Sequence, residues 1–146
     1  MSKLQVELTE ALRASALRCT RQRYAVLEFL AARPVHATAE EIRTAINRRD
    51  PQASRATVYN SLHALVRAGL VREVAAGGKS ARFDANLRRH HHFVCQVCGG
   101  LEDIAWFDLP PAAGRRGLGA RQVSTYEVVF RGACERCAAR GKGERS

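Results

Sequence analysis

Ser54-Arg-Ala-Thr-Val-Tyr-Asn-Ser-Leu-His-Ala-Leu-Val-Arg-Ala-Gly69 decides how the first half of the chain is read. Ser54 offers a side-chain oxygen to the free amides of a first helical turn. Val58, Leu62, Leu65 and Val66 recur at three- and four-residue intervals and form one apolar stripe. Gly69 is the residue best able to take the left-handed conformation that stops such a helix. Arg55, Thr57, Tyr59 and Asn60 remain on the polar side at its N-terminal end.

The flanks extend the pattern. Two short strands, 70–74 and 80–84, follow, joined across Ala-Ala-Gly77-Gly78-Lys79 by a glycine turn. Upstream, Val6, Leu8, Leu12 and Leu17 predict a helix over 5–17. Thr20 caps a second over 21–32 that Pro34 ends, and Thr38-Ala-Glu-Glu41 is a capping box ahead of Ile42, Ala45 and Ile46, closed by Asp50-Pro51. Helices followed by a β-hairpin are the order of a winged helix-turn-helix, with 54–68 as recognition helix. An ordinary α+β domain with a solvated polar helix end shares that pattern.

The chain has 146 residues, 46% of them hydrophobic, enough for one large domain or two small ones with real cores. Its formal charge is +10, falling to +8 if four thiolates take up one Zn²⁺, and its pI near 10.3 points to a polyanionic partner. A merely soluble basic surface would give the same number. The first residues lack the apolar run of a signal peptide, and no stretch is long enough to span a membrane, so a cytoplasmic protein is expected.

Beyond residue 86 the pattern becomes strand-like, with strands expected over 93–96, 101–107 and 122–130, the last showing Tyr126, Val128 and Phe130 on one face. The intervening 110–119, with two prolines and three glycines, is a poor helix, and the polar tail after Cys137 reads as disordered. The division expected is 1–84 and 85–146: an α+β chain with an N-terminal winged helix-turn-helix and a small α/β zinc-containing domain.

That second part holds His90-His-His-Phe-Val-Cys-Gln-Val-Cys98 and, 35 residues on, Cys134 and Cys137. In a reducing compartment two C-x-x-C pairs supply the four thiolates of a closed tetrahedral zinc site, with no open position for water, and hence a structural one. A redox dithiol is the alternative for either pair alone. Cys19 stands apart and defaults to a small half-buried hydrophobe. In a strand His90 and His92 share a face while His91 points away. With Asp84 before and Asp103 after, an imidazole–carboxylate set without thiolate suits Fe²⁺, Mn²⁺ or Zn²⁺ in an exchangeable site. Surface histidines in a basic protein are the plainer reading.

Thr20-Arg-Gln-Arg-Tyr-Ala-Val-Leu, Ala56-Thr-Val-Tyr-Asn-Ser-Leu, Ala68-Gly-Leu-Val, Ala81-Arg-Phe-Asp and His90-His-His-Phe-Val-Cys-Gln-Val-Cys-Gly, taken in order, resemble the ferric uptake regulator superfamily over nearly the whole chain. The resemblance implies a homodimeric, metal-dependent transcription factor on double-stranded operator DNA, its winged helix hinged to a zinc-bearing dimerisation domain. It also implies a five-ligand regulatory site at His36, Asp84, His90, His92 and Asp103, with His36 coupling the two domains. Aspartate at both Asp84 and Asp103 is similar to the peroxide-sensing PerR branch, whereas iron-uptake members commonly carry glutamate. In that branch bound Fe²⁺ leads to oxidation of ligand histidines, here His36 and His90, and release of DNA. Mn²⁺ supports DNA binding without peroxide sensitivity, and Zn²⁺ can occupy the site in vitro. A third metal site found in many members is not expected, since Thr125 and Tyr126 stand in its place and Arg89 lies beside the triplet.

On DNA, Tyr59 can pack on a thymine methyl, Arg55 can reach a guanine edge or a phosphate, and Ser54, Thr57 and Asn60 can position the backbone. Arg18 resembles the family's minor-groove contact, which a narrow A·T-rich groove would attract. Arg21 and Arg23 read as phosphate contacts or solvated charges. The expected function is repression of peroxide-defence or metal-homeostasis genes. An iron-, manganese- or zinc-responsive regulator without a peroxide role is the alternative. A zinc-stabilised metalloenzyme is remote, because no H-x-E precedes a C-x-x-C and no nucleophile–base pair stands out.

Overall fold

The structure is a computed structural model and describes residues 1–33, 36–49, 51–74, 80–110 and 117–143. The chain forms two compact units, Met1–Leu87 and Arg88–Ser146. The terminators Pro34 and Asp50 and the glycine turn at 75–79 lie outside the described residues, as does most of 110–119. The described end of that last segment, 117–118, is helical rather than irregular.

The first unit has helices α1 (Lys3–Ala14), α2 (Arg21–Ala31), α3 (Ala39–Asn47) and α4 (Arg55–Arg67) and strands β1 (Ala37–Thr38), β2 (Arg72–Val74) and β3 (Arg82–Asp84). The local stop and start signals operate as chemistry requires. Thr20 Oγ1 accepts from Arg23 N at 3.2 Å, Thr38 and Glu41 close a reciprocal box, and Ser54 Oγ accepts from Thr57 N at 3.1 Å. Gly69, at φ 72, ends α4 in a Schellman turn in which Gly69 N donates to Val66 O and Leu70 N to Leu65 O, both at 3.0 Å. α1 stops before 17 because Ser15 N and Ala16 N turn back onto Ala11 O and Arg13 O, with Ala16 at φ 57.

The three strands form an antiparallel sheet in the order β1-β3-β2, with Ala37 opposite Phe83 and Glu73 opposite Phe83 on the other side. Leu12, Val26, Leu30, Ile42, Val58, Leu62, Leu65, Val71 and Phe83 form the core beneath it. α4 therefore buries Val58, Leu62 and Leu65 and leaves Tyr59, Asn60 and His63 exposed, which is the arrangement expected of a recognition helix.

The second unit is built on β4 (His90–Cys95), which pairs antiparallel with β5 (Leu101–Ala105) and parallel with β6 (Val129–Gly132). β4 starts three residues earlier than expected and takes in the whole histidine triplet. Its start at His90 limits β5, which ends at Ala105 opposite His90, whereas β6 begins at Val129, opposite His92. The strand expected over 122–130 is corrected to Val129–Gly132: Val128 N donates to the His91 ring at 3.0 Å and not to a backbone carbonyl of β4. Of the tail expected to be disordered, the described residues 138–143 lie in a helix, α5 (Glu135–Gly143), begun by Ala138 N donating to Cys134 O at 2.8 Å and carrying Glu135 in its first turn, and the rest lies outside the described residues.

Candidate metal centres and nucleic-acid face

Cys95 ends β4, Cys98 lies in the turn after it, Cys134 precedes α5 and Cys137 lies in its first turn. Their four sulfurs lie within 4.8 Å of one another, with Cys98 and Cys134 at 4.0 Å. Thiolates about 2.3 Å from a zinc ion lie about 3.8 Å apart in a tetrahedron, so the set fits Zn²⁺. The turn is made for this: Gly99 takes φ 73, and a Cβ on Gly100 would come within 3.3 Å of Cys98 Sγ. Cys98 N and Cys134 N donate to Cys95 Sγ at 3.4 and 3.3 Å. These amides lower the Cys95 thiol to about 6, whereas Cys137 is pushed up to about 12, first by its hydrogen bond to Cys134 and then by burial. Four crowded thiols that cannot all ionise together are relieved by a divalent cation.

At the other end of β4, the predicted alternation places His90 and His92 on one face, with Asp103 directly across from His92 on β5. His90 Nε2 lies 3.1 Å from His92 Nε2 and 3.1 Å from Asp103 Oδ1, and His92 Nε2 lies 3.8 Å from the same oxygen. Both imidazoles are buried. His90 Nδ1 faces Arg88 O at 2.7 Å and His92 Nδ1 faces Glu127 Oε2 at 3.2 Å. With Nδ1–H donating to Arg88 O, His90 turns its Nε2 lone pair toward Asp103, and the Glu127 carboxylate beside His92 Nδ1 favours the same tautomer there. Three electron-rich atoms facing one point are a cation site, and ligands about 2.1 Å from one ion lie about 3.0 Å apart at right angles.

In the first unit, His36 precedes β1 and Asp84 ends β3. His36 Nε2 lies 3.4 Å from Asp84 Oδ2, and both side chains are buried. Asp84 is oriented by Asn86 N, which donates to Oδ1 at 2.7 Å, and His36 by Arg82, which donates to its carbonyl at 2.9 Å. Each unit therefore presents imidazole and carboxylate groups held by their own strands.

The nucleic-acid candidates sort differently. Tyr59 and Asn60 are exposed, and Arg18 is exposed with its carbonyl accepting from the Arg23 guanidinium at 2.9 Å. Arg23 is thus partly engaged within the fold. Ser54 and Thr57 hydroxyls lie 2.8 Å apart at the α4 cap, and Arg55 lies 3.5 Å from Glu40 Oε2. Cys19, expected to be half-buried, is exposed in the link between α1 and α2.

Two residues escaped sequence reading. Glu127 reaches His92, as given above. His91, fully buried, accepts from Val128 N at Nδ1 (3.0 Å), so its Nε2–H donates to Phe107 O (2.9 Å). Its ring stacks on Trp106 at 4.4 Å, and the Arg89 guanidinium lies 3.8 Å from the centroid of that same Trp106 ring. His91 pins the chain on both sides of β4. Only its position between two ligand-type histidines hinted at a separate role.

A winged-helix unit joined to a unit bearing a thiolate set and an imidazole–carboxylate set defines the class of metal-responsive DNA-binding regulators. The sequence profile of the ferric uptake regulator family matches residues 14–111, and the chain belongs to that family. It is 35% identical over 136 residues to the peroxide operon regulator of Bacillus subtilis, covering 90% of this chain and 92% of that one. It is 34% identical to the peroxide-responsive repressor PerR of Staphylococcus epidermidis, covering 92% and 91%. Its fold is similar to that of the Campylobacter jejuni peroxide stress regulator, with TM-score 0.62 at 27% identity over 94% of this chain and 100% of that one. The cysteine set suits structural zinc and the histidine–aspartate groups suit Fe²⁺ or Mn²⁺. Among the described residues, no helix is long and apolar enough to cross a membrane.

Proposed function

We propose that the chain is a metal-dependent, DNA-binding transcriptional repressor that senses hydrogen peroxide. The observation that carries this reading is the convergence of His90, His92 and Asp103, whose donor atoms face one point 3.1 to 3.8 Å apart, with aspartate rather than glutamate as the carboxylate. His36 and Asp84 of the first unit complete the set, so that five ligands from two units hold one exchangeable ion. Cys95, Cys98, Cys134 and Cys137 hold the structural zinc.

Ferrous iron held by His36, Asp84, His90, His92 and Asp103 would supply the activation of hydrogen peroxide for oxygen transfer. Everything else belongs to the chain's own residues. His36 or His90 takes one peroxide oxygen at a ring C–H, the ring giving up the two electrons while the other oxygen leaves as water, and the oxidised ring no longer serves as a ligand. Ligation by His36 favours one arrangement of the winged helices in a homodimer, and differential affinity for that arrangement shifts the population toward the DNA-binding state. On double-stranded operator DNA, Arg55 and Tyr59 read base edges, Ser54, Thr57 and Asn60 fix the backbone, and Arg18 enters the minor groove. The protein works in the cytoplasm, as a regulator and not as an enzyme. Residues 1–84 serve DNA binding and 85–146 metal binding and dimerisation.

The test is a gel shift on DNA from the chain's own promoter region, with and without Mn²⁺, followed by mass spectrometry of the Fe²⁺-loaded protein after peroxide. Metal-dependent binding and the mass of one added oxygen on peptides holding His36 or His90 are expected. Metal-dependent binding without that mass gain would leave a regulator of metal homeostasis, a role the same His/Asp donor set also suits.

A further inference from the structure

The two histidines of β4 are not supported alike. His90 Nδ1 faces a neutral backbone carbonyl, Arg88 O, at 2.7 Å, whereas His92 Nδ1 faces a carboxylate, Glu127 Oε2, at 3.2 Å. We infer that Glu127 is a positioning residue for the regulatory metal: it holds the His92 ring with Nε2 turned toward His90 and Asp103 and makes that nitrogen the stronger donor. The inference rests on the ligand set proposed above and deepens it.

Glu127 is half-exposed, so its hold depends on its backbone, and the structure fixes that backbone twice. Val128 N donates to His91 Nδ1 at 3.0 Å, and His92 N donates to Val128 O at 3.0 Å. The residue after Glu127 is therefore bonded to both His91 and His92 before β6 begins at Val129. That register delivers the Glu127 carboxylate to one side of His92 while Asp103, across β5, takes the other. A carboxylate 3.2 Å from the remote imidazole nitrogen draws the ring proton to that side and strengthens the metal-facing nitrogen, and loss of such a partner typically weakens metal binding about 10–100-fold. Solvent exposure of Glu127 places the expected effect at the lower end.

Mn²⁺ affinity of the zinc-loaded full chain, measured by titration calorimetry, should fall about tenfold in Glu127→Ala. Glu127→Gln, which keeps an acceptor oxygen without the charge, should fall between that variant and wild type. In the absence of Mn²⁺, ring-nitrogen NMR should show His92 as the Nδ1–H tautomer in wild type and a mixture in Glu127→Ala. Unchanged affinity and tautomer in Glu127→Ala, with Asp103→Ala abolishing Mn²⁺ binding, would overturn the role of Glu127 alone. Binding indifferent to Asp103→Ala would overturn the ligand set as well. A lowered melting temperature with affinity intact would make Glu127 a merely structural residue.

Discussion

β4 feeds two metal-type centres that differ in where their remaining ligands come from. Cys95 at one end finds Cys98, Cys134 and Cys137 within the same unit, all of them soft donors around a closed tetrahedron. His90 and His92 at the other end find Asp103 locally, and the proposed site needs His36 and Asp84 of the other unit to be complete. A centre closed within one unit can only stabilise it. A centre that took ligands from both units, as proposed, would make metal binding and unit arrangement the same equilibrium.

The largest test of this contrast removes the closed centre. Cys134→Ser should unfold the second unit, since structural zinc supplies about 10–16 kcal/mol in small zinc domains, and its amide NMR dispersion should collapse while that of the first unit persists. A folded second unit would break the assignment of the cysteines as its staple. Next, Asp103→Ala should lower Mn²⁺ affinity by at least about 100-fold, beyond the range of outer-shell losses, with zinc content by mass spectrometry unchanged. Simultaneous zinc loss would show that the two centres are not independent.

A subtler effect is expected from His36→Ala. It should retain weakened Mn²⁺ binding through the ligands that remain but lose the metal dependence of DNA affinity, a coupling of about 1–3 kcal/mol or 5–150-fold in gel-shift titrations. Smallest is Ser54→Ala, which removes the α4 cap at a cost of about 1 kcal/mol in denaturant unfolding. That cost should be the same with and without Mn²⁺. A metal-dependent cost would mean that the recognition helix itself is formed by the metal.

The parts of the molecule legible in sequence are those set by neighbours along the chain. The Thr38–Glu41 box, the Ser54 cap and the Gly69 stop depend on residues three to five positions apart, and all three appear as read. The split of the histidine triplet followed from strand alternation alone. What escaped depends on partners distant in sequence. Two-residue β1 exists only because Ala37 and Thr38 pair with Phe83 and Arg82. The start of β6 depends on Val128 N being taken by the His91 ring, and the Glu127–His92 contact on the parallel register between the strands. The helix in the tail was missed because its polar composition gives no apolar period, whereas the cysteine turn before it begins the helix directly.

The parallel pairing of β4 with β6 has a kinetic consequence. A parallel neighbour cannot form through a tight hairpin, and here the chain must close a loop with 35 residues between Cys98 and Cys134 before Phe93 meets Phe130. Such non-local pairing is slow to form and leaves strand edges open while it waits. The thiols that clamp the loop sit near its two ends, so zinc should speed completion of the sheet, and chains without it should expose the edges of β4 for longer.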